Sequence, residues 1–250
     1  MQLYPTADYE ALSRQAGNLL AAQVLQKPDS VLGLATGGTP VGAYARLTAL
    51  HRQGDLDFSR VTTVNLDEYL GLSPAHPQSY SFFMHQHLFD LVNLRPERCH
   101  LPQGSCADPA AECRRYEQLI DHLGGIDLQL LGIGGNGHIG FNEPDAQFSA
   151  VTHPVTLTAQ TRQANRRFFS SPDEVPHQAL TMGVGTIFRA RRILLLASGE
   201  AKAQALCDAL WGPITPRVPA SILQLHPALI VVEYADALSV ARRDGRMAPC

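Results

Sequence analysis

Lysine is nearly missing from this chain of 250 residues: Lys27 and Lys202 are its two lysines among 20 basic residues, the rest being arginine. A lysine at a particular place therefore invites the question of what it serves. No cluster of Lys and Arg is long enough to make a basic face for a phosphodiester backbone, and with a net charge of -3 and a pI near 6.3 this argues against nucleic acid as a partner. No run of ~18 apolar residues is present to cross a membrane, and the opening MQLYPTADYEALSRQ has neither a basic leader nor an apolar h-region. The five cysteines form no CxxC pair and keep no ligand-like spacing with histidine, so they read as reduced thiols in a reducing compartment. These absences predict a soluble, cytoplasmic protein. No linker, repeat or low-complexity stretch divides residues 1–250, which are expected to form one domain.

What is present is a 45% hydrophobic composition arranged as short apolar runs between longer amphipathic stretches. The runs are 31–35, 61–64, 128–133, 193–197 and 229–232, and helices are expected at about 8–26, 40–53, 79–90, 109–123 and 200–211. That alternation predicts an α/β fold, a Rossmann-like, mainly parallel sheet with helices on both faces. Thr39 before Pro40, Asp108 before Pro109, and Ser198 are candidate N-caps. The polar stretch from about 145 to 180 has weak periodicity and is a candidate mobile flap over a site.

Ligands of parallel sheets sit beyond the carboxyl ends of the strands, and the chemistry-bearing residues follow the apolar runs directly. After the first run, Thr36-Gly37-Gly38-Thr39 opens into a helix whose amides and dipole suit a phosphate. The loop is neither a Walker loop nor a dinucleotide fingerprint. The second run ends in the paired carboxylates Asp67 and Glu68; one of them, held in a partly desolvated cleft, suits proton abstraction from carbon, and an N-cap or a solvated loop is the plainer alternative. The third ends in a loop with five glycines in the nine residues 132–140, carrying Asn136 and His138, with Glu143 spaced so that a turn lets it orient the imidazole. The fourth carries Lys202 early in a helix, where a bound anion would explain a cation. His85 and His87 lack a third ligand and read as structural, and Ser170, Ser171 and Ser221 lack a nucleophile elbow.

Taken together, the blocks Leu34–Pro40, Asn65–Tyr69, Gln78–Tyr80, Gly137–Pro144, Ala179–Gly185 and Leu223–Pro227 resemble the glucosamine-6-phosphate deaminases, in the same order and over nearly the whole chain. The resemblance implies a sugar-phosphate isomerase-like fold. It also implies hydrolysis of a carbon–nitrogen bond: glucosamine 6-phosphate and water give fructose 6-phosphate and ammonia, in amino sugar catabolism, with no metal and no cofactor. It implies Asp67 as the base between C2 and C1 of the open-chain sugar. His138 becomes the group that assists ring opening, with Glu143 as its partner and Asn136 where many members place an Asp. Thr36, Gly37, Gly38, Thr39, Arg167 and Lys202 fall on phosphate-binding positions. Val155 stands where allosterically activated members carry a Lys, which predicts weak or absent activation by N-acetylglucosamine 6-phosphate. The partner is a small sugar phosphate, with room for a homo-oligomer. The alternatives are a 6-phosphogluconolactonase-like hydrolase, against which the Asn65–Tyr69 and Phe141–Pro144 blocks argue, and a non-catalytic sugar-phosphate sensor. A regulator carrying such a sensor needs a helix-turn-helix before Val31, where one convincing helix is visible.

Overall fold

A computed structural model describes residues 1–166, 169, 171, 174–234 and 237–246, with Gln160 and Ala164 as backbone alone. Seven parallel strands form the main sheet: β1 (Gln2–Thr6), β2 (Val31–Leu34), β3 (Thr62–Asn65), β5 (Cys99–His100), β6 (Leu128–Gly132), β9 (Ile193–Ser198) and β10 (Leu229–Tyr234). Their order is β1-β10-β9-β6-β2-β3-β5. The central strands are buried along their length, which is why they read as continuous apolar runs rather than alternating ones. Gln129 of β6 lies over Gly33 of β2, where an added Cβ would come within 2.0 Å of its Oε1, so a side chain is excluded at position 33.

Connections in a parallel sheet are right-handed, so direction of travel decides the face each helix covers. Helices α1 (Tyr9–Gln26) and α2 (Val41–Arg52) belong to crossovers running toward β5 and pack on each other. Helix α4 (Pro109–His122) and helix α7 (Ala203–Trp211) belong to crossovers running the other way and cover the opposite face. The crossover leaving β2 runs toward β5 and the one leaving β6 runs the other way, so the crevice between the carboxyl ends of β2 and β6 is the switch point where this architecture places ligands.

A second, antiparallel sheet of β4 (Asp67–Tyr69), β8 (Gln178–Thr181) and β7 (His153–Thr156), which the apolar runs did not foretell, sits beside that crevice. The chain changes sheets at Leu66, whose N–H donates to Leu34 O of the main sheet at 3.1 Å. Its carbonyl accepts from Met182 N, next to β8, at 2.7 Å. Asp67 is the first residue past that junction. Helices α3 (Tyr80–His87), α5 (Ala159–Asn165), α6 (Val184–Phe188) and α8 (Ser239–Arg243) complete the chain. No helix among the described residues is long and apolar enough to cross a membrane.

Two of the three expected caps differ. Asp108 accepts from the N–H groups of Ala110 and Ala111 and caps α4. Thr39 does not cap α2, which begins after Pro40 with no side-chain cap; its hydroxyl lies 3.4 Å from that of Ser198, across the crevice. Ser198 ends β9 and is separated from α7 by Gly199 and the tight turn Glu200–Lys202.

Candidate active site

A cleft of about 670 Å³ opens at the switch point, within the range of small-ligand sites. Of the sequence-derived candidates, Thr36, Gly37, Gly38, Thr39, Asp67, Asn136, His138 and Lys202 all line it, although they come from four separate strand ends. Glu143 stands behind Asn136 rather than on the wall, and Arg167 lies outside the described residues.

The loop after β2 is braced from two helices. Tyr44 of α2 donates its hydroxyl proton to Ala35 O at 2.6 Å and accepts from Ala35 N at 3.2 Å. Tyr9 of α1 shares its proton between the carbonyls of Gly38 and Thr39 and accepts from Gly42 N. Carbonyls are thereby taken up, whereas no group among the described residues takes the amides of Gly37, Gly38 and Thr39. Gly37 holds φ +96°, a conformation side chains disfavour, and the loop becomes an anion cradle before α2. Lys202 stands on the wall of the same cleft.

Asp67 is 7% exposed, and no donor among the described residues reaches its carboxyl. Burial, then the neighbouring Glu68, pushes its pKa up to about 8. The dry wall beside it is aromatic: Tyr80 and Phe141 stack with centroids 6.0 Å apart, and Tyr69 lies 4.8 Å from Tyr80. Glu68, by contrast, accepts three backbone N–H bonds, all at 2.9 Å, from Tyr69, Tyr80 and Ser81. Burial raises its pKa and those three bonds pull it back. Neither carboxylate is an N-cap or lies in a solvated loop: both sit in β4, Asp67 facing the cleft and Glu68 tying down the first turn of α3, whose N-cap is Ser79.

His138 reaches the cleft from the glycine loop. Its ring lies against Gly134, where a Cβ would come 2.1 Å from Cε1. Gly137, at φ +82°, tucks beneath Val218 and accepts from Ala220 N. Nδ1 lies 2.7 Å from Asn136 Oδ1, and Asn136 Nδ2 donates to Glu143 Oε2 at 2.7 Å. The sequence reading had Glu143 orienting the imidazole through a turn; the structure interposes Asn136, leaving Glu143 Oε2 3.7 Å from Nδ1. An amide oxygen at Nδ1 assigns the proton to that nitrogen and leaves the Nε2 lone pair free. Burial lowers the pKa of His138, Glu143 draws it back up, and Lys202 lowers it further. Gly140 links this loop to the carboxyl, since a Cβ there would sit 3.5 Å from Asp67 Oδ2.

Sequence reasoning missed Tyr9, Tyr80 and Thr161 as cleft residues. Tyr80 belongs to a block already noticed for its resemblance; Tyr9 and Thr161 carry no local signal. His85 bonds Asp90 at 2.8 Å and His87 packs on Phe83; neither lines the cleft, although His87 lines a smaller cavity that adjoins it at Gly37, Gly38 and Tyr80. Among the described residues no group of three or more His, Cys, Asp or Glu is placed to hold a metal ion.

Residues 6–231 match the family of glucosamine-6-phosphate isomerases and 6-phosphogluconolactonases. A Geobacillus protein named glucosamine-6-phosphate deaminase is 54% identical over 246 residues, 98% of each chain. Glucosamine-6-phosphate deaminase 1 of Bacillus subtilis is 52% identical over 240 residues, 96% of this chain and 99% of that one. A solved structure described as a monomeric glucosamine-6-phosphate deaminase superposes with a TM-score of 0.93 at 52% identity, covering 96% of this chain and 100% of the other. A 6-phosphogluconolactonase from Thermotoga maritima superposes at 0.74 with 18% identity, covering 94% and 99%, a likeness of fold alone.

Proposed function

This chain belongs to the family of glucosamine-6-phosphate isomerases and 6-phosphogluconolactonases, and we propose that within it the chain deaminates glucosamine 6-phosphate to fructose 6-phosphate and ammonia. The observation that carries this reading is Asp67, a buried carboxyl that no donor among the described residues reaches, its pKa pushed up to about 8 by burial, in the same cleft as a phosphate-type loop. A carboxylate held at that value is basic enough to take a proton from a carbon beside a carbonyl.

The phosphate sits on the amides of Gly37, Gly38 and Thr39 with the hydroxyls of Thr36 and Thr39 and the ammonium of Lys202; Arg167 joins them by resemblance. His138 Nε2 takes the proton of the anomeric hydroxyl as the ring bond breaks and returns it to the ring oxygen, leaving the open-chain aldehyde. Asp67 takes the C2 proton as O1 gains one from water, giving an enolamine, and delivers the proton to C1 as the amine gives one up to water, leaving the ketimine at C2. Water adds at C2, the nitrogen leaves as ammonia, and the carbonyl of fructose 6-phosphate remains. Every group in this sequence comes from one chain, so the site needs no second copy, in keeping with the neighbour described as monomeric. The four described cysteines are free, which suits the cytoplasm. Val155, where activated relatives are expected to carry a lysine, supports velocity curves that N-acetylglucosamine 6-phosphate does not change.

The test is release of ammonia and fructose 6-phosphate from glucosamine 6-phosphate, with 6-phosphogluconolactone hydrolysis assayed in parallel. Equimolar release is expected. Lactone hydrolysis without ammonia overturns the reading.

A further inference from the structure

The proton on His138 Nδ1 is fixed by a string of hydrogen bonds whose far end is outside the glycine loop. An asparagine amide can present either its oxygen or its NH2 to a neighbour, and the two orientations demand opposite imidazole tautomers. Here Asn136 turns its oxygen to His138, accepting there from the backbone N–H at 3.2 Å as well as facing Nδ1, while its NH2 is claimed by Glu143 Oε2. The tautomer therefore depends on where the Glu143 carboxylate is held. Glu143 makes no ion pair with Lys or Arg among the described residues, and the imidazole, neutral in this tautomer, lies 3.7 Å from it.

What holds its other oxygen is Thr161, on the first turn of α5, whose hydroxyl donates to Glu143 Oε1. Direction along the string is determined. Thr158, the N-cap of α5, gives its hydroxyl proton to Thr161 Oγ1 at 3.1 Å, and its own oxygen accepts from Thr161 N. The single Thr161 proton is thus left for the carboxylate. Thr161 is 9% exposed and the Glu143 side chain 11%, so water competes little for either group. A carboxylate bonded at both oxygens keeps one position; released at one, it can swing away and let the amide of Asn136 turn over.

We propose that Thr161 is a positioning residue for His138: its hydroxyl anchors Glu143, Glu143 sets the face of Asn136, and Asn136 sets the imidazole tautomer that leaves Nε2 free toward the sugar. The contribution to turnover rests on the deaminase reading above; the contribution to the tautomer does not.

The experiment compares Thr161→Val, which keeps shape and loses the donor, with Thr161→Ser, which keeps the donor and loses the methyl. The tautomer is read from the ring nitrogens of His138 by NMR on the intact protein. The parent and Thr161→Ser are expected to hold the Nδ1–H form, and Thr161→Val to populate the Nε2–H form as well. In the deaminase assay Thr161→Val is expected to lose about tenfold in kcat with KM little changed, a fraction of the roughly 10²–10⁴ contributed by a general acid–base group, and Thr161→Ser to recover it. A pure Nδ1–H spectrum in Thr161→Val overturns the proposal, as does a serine variant as impaired as the valine one. If the parent releases no ammonia, the deaminase reading fails while the tautomer comparison still decides the role of Thr161.

Discussion

Asp67 and Glu68 leave one short strand on opposite faces and meet opposite environments: the first carboxyl has no donor among the described residues, the second has three backbone N–H groups. Successive strand residues always diverge in this way. Here the divergence separates a carboxyl that faces the cleft from one held by three backbone N–H groups. Glu68 satisfies two of the orphan amides that open α3 and so holds Tyr80, which forms part of the dry wall beside Asp67.

Replacing Asp67 separates activity from stability. Asp67→Asn is expected to keep phosphate binding and lose nearly all turnover, because the amide cannot accept the C2 proton. It is also expected to gain stability, increasingly so as pH rises. Between the unfolded value of 3.8 and the folded value of about 8, the folded chain holds a proton that the unfolded chain has released, so stability of the parent falls with pH across that window. The advantage of the asparagine variant grows there by about 1.4 kcal/mol per pH unit at most and levels off above it. Urea titrations at pH 5 and 8 measure this. In the parent, kcat/KM rises with pH through about 8, where the carboxylate form appears; a profile flat from pH 6 to 9 contradicts the assignment.

Glu68→Gln probes the other carboxylate. The amide has one acceptor oxygen for three N–H groups and turns its own NH2 toward a donor, which costs about 1–3 kcal/mol of stability. Glu68 is also the like charge that, after burial, raises Asp67. Its removal therefore shifts the rising limb of kcat/KM to lower pH. A variant that loses stability without moving the limb shows that Glu68 acts through α3 alone.

Gly134→Ala tests whether the glycine loop is shaped for the imidazole. The added Cβ would overlap the His138 ring at 2.1–2.4 Å, so the ring must leave Asn136. Turnover is expected to fall by roughly 10²-fold or more, the scale of a lost acid–base group. Gly135→Ala is the control, since its Cβ meets nothing nearer than Ala201 O at 4.0 Å, and it should keep turnover within about twofold. Equal losses in both variants remove the argument from contact.

Five strands of the main sheet were legible because burial on both faces writes itself as an apolar run; the edge strands β1 and β5 are only partly buried, and no run marked them. The small sheet was not legible: β4 and β7 are short and carry Asp, Glu, His and Pro, and what makes them strands is pairing with β8, a long-range fact. The same distinction divides the site. Asp67, His138 and Lys202 follow strand ends and could be found by looking there. Thr161 is an ordinary threonine in a polar stretch, and its meaning comes from Glu143, 18 residues away in sequence. Asn136 was visible, but its place between His138 and Glu143 depends on the turn at Gly137, which spacing alone does not specify.

In the proposed site Lys202 acts on both the phosphate and His138, so its removal should have two signatures. Lys202→Ala loses a charge-assisted contact to phosphate, a loss of about 1.5–3 kcal/mol that appears as a KM raised roughly ten- to a hundredfold. Lys202 also lowers the pKa of His138, after burial and against the pull of Glu143. In Lys202→Ala the His138 midpoint is therefore expected to move up, toward the ordinary histidine value. Binding inorganic phosphate to the parent should move it in the same direction, because a bound anion offsets the ammonium. NMR titration of His138 with and without phosphate, in parent and variant, reads both effects. A midpoint indifferent to Lys202 would place the ammonium too far from the imidazole to act on it.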